Sequence, residues 1–186
     1  MSDFPLPSRY NRTAMLLHWL VALLLLGQFA FGWLLDDIPR GTPARGYFFS
    51  LHKSTGMLIG LLILARIIWR LTHTPPALPD SVPRWQRQLA AMAHYGLYAL
   101  MVVMPLSGYV ASNFSKYGVH FFNVYKLAPW GEDNKAIYAF FNQTHGVASW
   151  LLLALVLVHV LAALKHVWVD RDTLFYRMWP QRVPRQ

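Results

Sequence analysis

The chain has 186 residues, of which 55% are hydrophobic, 15% aromatic and only 13% charged, a balance too apolar for an ordinary soluble domain. The absence of cysteine excludes disulfides, thiolate-ligated clusters and zinc sites, and covalent attachment of a c-type haem through a Cys-x-x-Cys-His motif. A net charge of +9 would admit a nucleic-acid partner, but the placement of the basic residues, taken up below, points to membrane topology instead.

A short polar leader, Met1–Arg12, precedes the first apolar run, Thr13–Leu35. This run is longer than the apolar core of a cleavable signal peptide and lacks a small-x-small cleavage site, so it is expected to stay in the mature protein. A loop over Asp36–Ser50, with Pro39, Gly41, Pro43 and Gly46, leads to the second run, His52–Leu71. Pro75 and Pro76 stop that helix, because the residue before a proline is pushed out of helical geometry. The proline-rich link Thr72–Arg87 connects to the third run, Leu89–Ser112, and a long loop, Asn113–Asn142, to the fourth, Gln143–Trp168. Each run is about the ~20 residues that cross ~30 Å of hydrocarbon at ~1.5 Å per residue. The expectation is an all-α membrane protein, a four-helix transmembrane bundle forming a single domain over residues 1–186. The aromatic residues of the last loop, Tyr117, Phe121, Phe122, Tyr125, Trp130, Tyr138, Phe140 and Phe141, suit an interfacial belt, or else a cap over a site.

Eleven of the 17 Lys and Arg residues, Arg9, Arg12, Arg66, Arg70, Arg84, Arg87, Lys165, Arg171, Arg177, Arg182 and Arg185, fall in segments that a four-helix topology places on one side. By the positive-inside rule that side is cytoplasmic, and both termini lie there. The basic excess is therefore read as orientation, with no nucleic acid implied.

Helix direction then turns sequence position into depth. His18 lies near the cytoplasmic face in the first helix, His52 at the outer face in the second, His94 again at the cytoplasmic face, and His145 and His159 at outer and inner levels of the fourth. His145 and His159 are 14 residues apart, so they share a helix face and differ in depth by ~21 Å. At the outer level the intramembrane counterpart of His145 is His52. At the inner level His159 can pair with either His18 or His94. Imidazoles in hydrocarbon are costly unless coordinated or hydrogen-bonded, which makes them functional-site candidates. The depth gap prevents four histidines from converging on one zinc ion. Two imidazoles per level, carried on facing helices, suit a six-coordinate b-type haem.

Gly56 and Gly60, one and two turns after His52, would relieve crowding against a flat macrocycle, though they match small-xxx-small helix packing equally well. Arg66, 14 residues after His52, reaches the inner level, where it would pair with a haem propionate or snorkel to the interface. Arg12 and Arg70 are similar, and Lys53 is the outer counterpart. His73 and His120 fall in loops and are expected to be solvated. His166, seven residues after His159, is an interface residue or a quinone or proton-relay group.

The segments LLHW, LHKSTG followed by R-x-x-W-R, AHYGLYALMVVMPLSG and THG…LVHVLAALKH, in this order on four helices, resemble the bacterial cytochrome b561 family over nearly the whole chain, from about Arg9 to Pro180. The resemblance implies a four-helix cytochrome of the inner membrane with two noncovalent b haems, multi-pass and in contact with lipid. Carried onto matching positions, it implies that His18 and His159 ligate the cytoplasmic haem and His52 and His145 the periplasmic one. His94 would then lie beside the inner haem. Stand-alone members are associated with ubiquinone and with oxidation of superoxide on the outer side. Arg40, Arg45, Lys53, Lys116, Lys126 and Lys135 outnumber Asp36, Asp37, Glu132 and Asp133 in the outer segments, a modest excess that would attract such a small anion.

The leading expectation is a quinone-linked oxidoreductase, with His94, Lys126 and His166 as candidate quinone or proton groups. Two other functions compete with it. One is the cytochrome b anchor of a multisubunit dehydrogenase or hydrogenase; the other is a cofactor-free proton or metal transporter.

Overall fold

The computed structural model describes residues 9–180; Arg182 and Arg185 lie outside the described residues. Four long helices follow one another: α1 Arg12–Leu34, α2 Pro43–Thr72, α3 Arg84–Asn113 and α4 Lys135–Trp168. All four are long and apolar enough to cross a membrane. A two-stranded antiparallel hairpin, β1 Val119–Phe121 and β2 Tyr125–Leu127, interrupts the α3–α4 connection. A short 3-10 turn, Phe175–Arg177, follows α4.

Local signals set the helix ends. Asn11 caps α1 by accepting from the Ala14 amide at 2.8 Å, and Asn134 caps α4 by accepting from Ala136 and Ile137. Thr42 caps α2 just ahead of Pro43, whose fixed φ and missing N–H suit the first helical position. These caps extend α2 nine residues upstream of the apolar run beginning at His52, and α4 eight residues upstream of Gln143. The α1–α2 and α3–α4 connections are correspondingly shorter than hydropathy suggests, and Tyr138, Phe140 and Phe141 belong to α4. Hydropathy sees only the part of a helix that matches hydrocarbon, whereas a cap fixes where the backbone starts to coil.

Close backbone packing joins α3 to α4, α1 to α2 and α2 to α3. Val21, Ile59, Ile63, Leu97, Met101 and Leu152 form the buried cluster at the centre, each helix contributing at least one residue. Large apolar side chains such as Leu16, Leu23, Leu61 and Leu161 point outward and are exposed. A surface of this kind is stable against lipid and would be an association liability in water.

The hairpin is fastened to the start of α2. The Ser50 hydroxyl donates to the His120 carbonyl, the Lys53 ammonium donates to the Gly118 carbonyl at 2.8 Å, and the Ser54 hydroxyl accepts from the Phe122 amide at 2.7 Å. That last bond helps hold Phe122 in the left-handed region (φ 48°), beside Asn123 at 61°. At the opposite end the segment after α4 folds over the start of α1. Trp19 donates to the Met178 carbonyl at 2.8 Å, and the buried Arg177 donates to the Pro76 and Ala77 carbonyls in the α2–α3 link.

Candidate functional site

Four helix-borne histidines form two facing pairs, one at each end of the bundle. At the end that carries the start of α1 and the segment after α4, the rings of His18 and His159 have centroids 6.3 Å apart with planes at 70°. At the hairpin end His52 and His145 are also 6.3 Å apart, with planes at 81°. These are called the inner and outer pairs below. Each pair spans two helices, α1 with α4 and α2 with α4, that are not among the closely packed backbone pairs. Leu152, fully buried, lies seven residues from each α4 histidine. A dry apolar layer therefore separates the two levels.

The separation matters chemically. An imidazole nitrogen binds a first-row metal ion at about 2 Å, and the ring centre lies roughly 1.1 Å behind that nitrogen, so two imidazoles on opposite sides of one ion have centres about 6.2 Å apart. Both pairs have this span. His94 also touches His159, with centroids 5.5 Å apart and planes at 66°, which falls short of it.

Hydrogen bonding of the outer pair points the same way. His145 donates from Nδ1 to the Met104 carbonyl at 2.8 Å, and a bond of this kind fixes the tautomer that leaves Nε2 with a lone pair for a metal. The backbone of α3 can come this close because residue 108 is glycine. A Cβ there would stand 3.0 Å from His145 Nδ1. His52 is held differently. Its backbone carbonyl accepts from Gln28 Nε2 at 2.7 Å, and its ring edge lies against Gly32 of α1, where a Cβ would stand 3.4 Å from Cε1. His52 Nδ1 is buried with no hydrogen-bond partner among the described residues. The residues present thus fit a metal held between two imidazoles, as in a bis-histidine haem.

At the same end of the bundle as the inner pair lies a cavity of about 210 Å³ lined by Arg9, Ala14, Leu17, Arg66, Arg70 and Tyr98, among others. Arg66 lies over the Tyr98 ring, 5.8 Å from its centroid, and Arg70 donates to the Tyr10 hydroxyl at 3.1 Å. Guanidinium groups in such a recess are suited to hold a carboxylate or phosphate.

Other residues singled out in the sequence are spread more widely. Gly60 packs against Pro105 of α3, where a Cβ would meet the proline ring at 3.1 Å, and so serves helix packing. Gly56 faces the Gln28 amide of α1. His166 donates from Nδ1 to Asp172 at 2.7 Å, with Asp170 at 3.2 Å, and Lys165 pairs with Asp170. Lys126 is exposed on β2, opposite His120, at the other end of the molecule from His94 and His166. His73 stacks on Trp69 at 3.7 Å, while the side chain of His120 is exposed. The Met104 carbonyl, Gly108, Gly32 and Gln28 escaped sequence reasoning. Pro105 inside an apolar run was the available signal, since a helix must adapt its carbonyls around a proline.

The family model for prokaryotic cytochrome b561 matches residues 9–181. The chain is 29% identical over 184 residues to cytochrome b561 homolog 2 of Escherichia coli K12, covering 96% of this chain and 95% of that protein. It is 25% identical to cytochrome b561 homolog 1 of the same organism, covering 94% of this chain and 99% of that protein. It is 27% identical to the probable superoxide oxidase CybB of Yersinia pestis, covering 94% and 97% respectively. The chain therefore belongs to the prokaryotic cytochrome b561 family, as a multi-pass b-type cytochrome of the bacterial inner membrane with a redox role.

Proposed function

We propose that this protein is a dihaem, quinone-linked oxidoreductase that moves electrons across the inner membrane, with His52 and His145 holding the outer haem and His18 and His159 the inner one. The observation that carries this reading is the repeated 6.3 Å separation of two histidine pairs whose α4 members stand 14 residues apart. Bound haem would supply one-electron iron chemistry at each level. His18 is favoured over His94 at the inner level because the His94–His159 rings, at 5.5 Å, are too close to share one ion between them.

In this reading, Arg66 offers its charge to a propionate of the inner haem, and Gly56, one turn from His52, leaves room for the Gln28 side chain that holds the His52 carbonyl. Both termini are cytoplasmic, in accord with Arg9, Arg12, Arg66, Arg70, Arg84 and Arg87 on their side of the bundle. The outer substrate is superoxide, which gives up an electron to become dioxygen. The acceptor is ubiquinone at the inner level, which needs protons as well as electrons, and His94 and His166 lie on that side to supply them. Lys126, at the outer end, contributes to attracting the anion. The similarity to a probable superoxide oxidase along nearly the full length of both chains supports a stand-alone enzyme over a complex anchor.

The test is the purified single polypeptide in detergent. Superoxide-dependent reduction of ubiquinone by that polypeptide alone is expected. A haem-loaded protein that reduces quinone only when another subunit is added would favour the anchor role.

A further inference from the structure

We infer that the two imidazoles of the outer pair are chemically unequal, and that His52 is the weaker ligand because Gly32 leaves its Nδ1–H without an acceptor. The inference rests on the reading that His52 and His145 share a haem. His145 donates from Nδ1 to the Met104 carbonyl at 2.8 Å, with the Ser107 hydroxyl 3.4 Å away. Among the described residues His52 Nδ1 is buried without a partner. A carbonyl that accepts from Nδ1 pushes electron density onto Nε2 and makes the imidazole a better donor to the metal. An Nδ1–H buried in apolar surroundings gives no such push and carries the cost of an unmade hydrogen bond.

The Cε1–Nδ1 edge of the His52 ring lies toward α1 at Gly32, which has no side chain to offer it. A Cβ at this position would stand 3.4 Å from Cε1 and 4.0 Å from Nδ1, ordinary contact distances. The nearby polar side chain, Gln28, uses its Nε2 on the His52 backbone carbonyl. Met104 and Gly32 thus set the two ligands apart, with a carbonyl on one side and nothing on the other. Two consequences follow. The outer iron favours its reduced state more than it would with two hydrogen-bonded imidazoles. With ferric haem bound, His52 would be the imidazole that an added small ligand such as cyanide displaces, and His145, held by Met104, would be the one that stays.

The position offers its own test. Gly32→Ser adds a hydroxyl that can donate to the Gln28 carbonyl one turn back, a common habit of serine in helices, while accepting from His52 Nδ1. Gly32→Ala adds the same Cβ without the oxygen. In redox titrations of the membrane-extracted protein, Gly32→Ser should lower the ferrous-to-ferric ratio of the outer haem at fixed potential by about threefold to tenfold relative to Gly32→Ala. It should also weaken cyanide binding to that haem by a similar factor. Equal outer-haem potentials and cyanide affinities in the two variants would overturn the inference. If neither variant keeps the outer haem, pulsed EPR of the ferric wild type decides: unequal remote-nitrogen couplings for the outer centre support it, and equal ones overturn it. Failure of the underlying reading looks different, since then His52→Ala would leave the haem content unchanged.

Discussion

The Nδ1 of His145 donates to the carbonyl oxygen of Met104 at 2.8 Å, linking α4 to α3 in the turn just before Pro105. This bond orients the imidazole, and Gly108 makes room for it, since a Cβ at 108 would press on Nδ1 at 3.0 Å and on Cε1 at 3.1 Å. The ring cannot retreat without losing its hydrogen bond. Gly108→Ala should therefore reduce the outer haem content at least severalfold while leaving the inner haem in place, as read by pyridine haemochrome assay and low-temperature spectra. Unchanged outer haem would mean that α3 yields instead.

Because His52 and His145 face each other with ring centroids 6.3 Å apart, His52→Ala and His145→Ala should each remove the same haem and spare the other. The reduced-minus-oxidised spectra of the two variants should then superimpose. Loss of different haems would refute the pairing.

The inner level holds three imidazoles, and their spacing ranks them. His18→Ala should abolish the inner haem, whereas His94→Ala should retain it with an altered spectrum, because His94 contacts His159 at 5.5 Å without spanning a metal. The reverse outcome would make His94 the ligand.

Lys53, Lys116 and Lys126, with Arg40, Arg45 and Lys135, are cationic groups of the segments at the hairpin end. If they steer superoxide, the rate of superoxide-dependent quinone reduction should fall as ionic strength rises from about 0.01 M to 0.15 M, where the Debye length shrinks from about 30 Å to about 8 Å. A rate indifferent to salt would count against steering.

Much of this arrangement was legible in the sequence because membranes restrict the alternatives. Hydrocarbon thickness sets the length of a spanning helix, alternating direction turns His18, His52, His145 and His159 into depths, and fourteen residues along α4 return to the same face. Other features depend on contacts that periodicity does not encode. The upstream starts of α2 and α4 come from Thr42, Pro43 and Asn134, cap residues lying outside the apolar runs. The hairpin turns on Phe122 and Asn123 with positive φ instead of a glycine, and it is secured by Ser50, Lys53 and Ser54 from a distant helix. Depth left His159 a choice of partners; the family resemblance implied His18, and the distances between rings favour the same choice. The unequal surroundings of His52 and His145 arise from α1 and α3 backbone atoms, so no side-chain pattern could announce them.

The most direct test of the account is haem quantified per polypeptide in the detergent-purified protein, together with its reduced-minus-oxidised visible spectrum. Two low-spin b haems per chain are predicted, one for each histidine pair. A colourless, metal-free protein from haem-replete cells, or a single haem per chain, would contradict the two-site arrangement on which the proposed electron path depends.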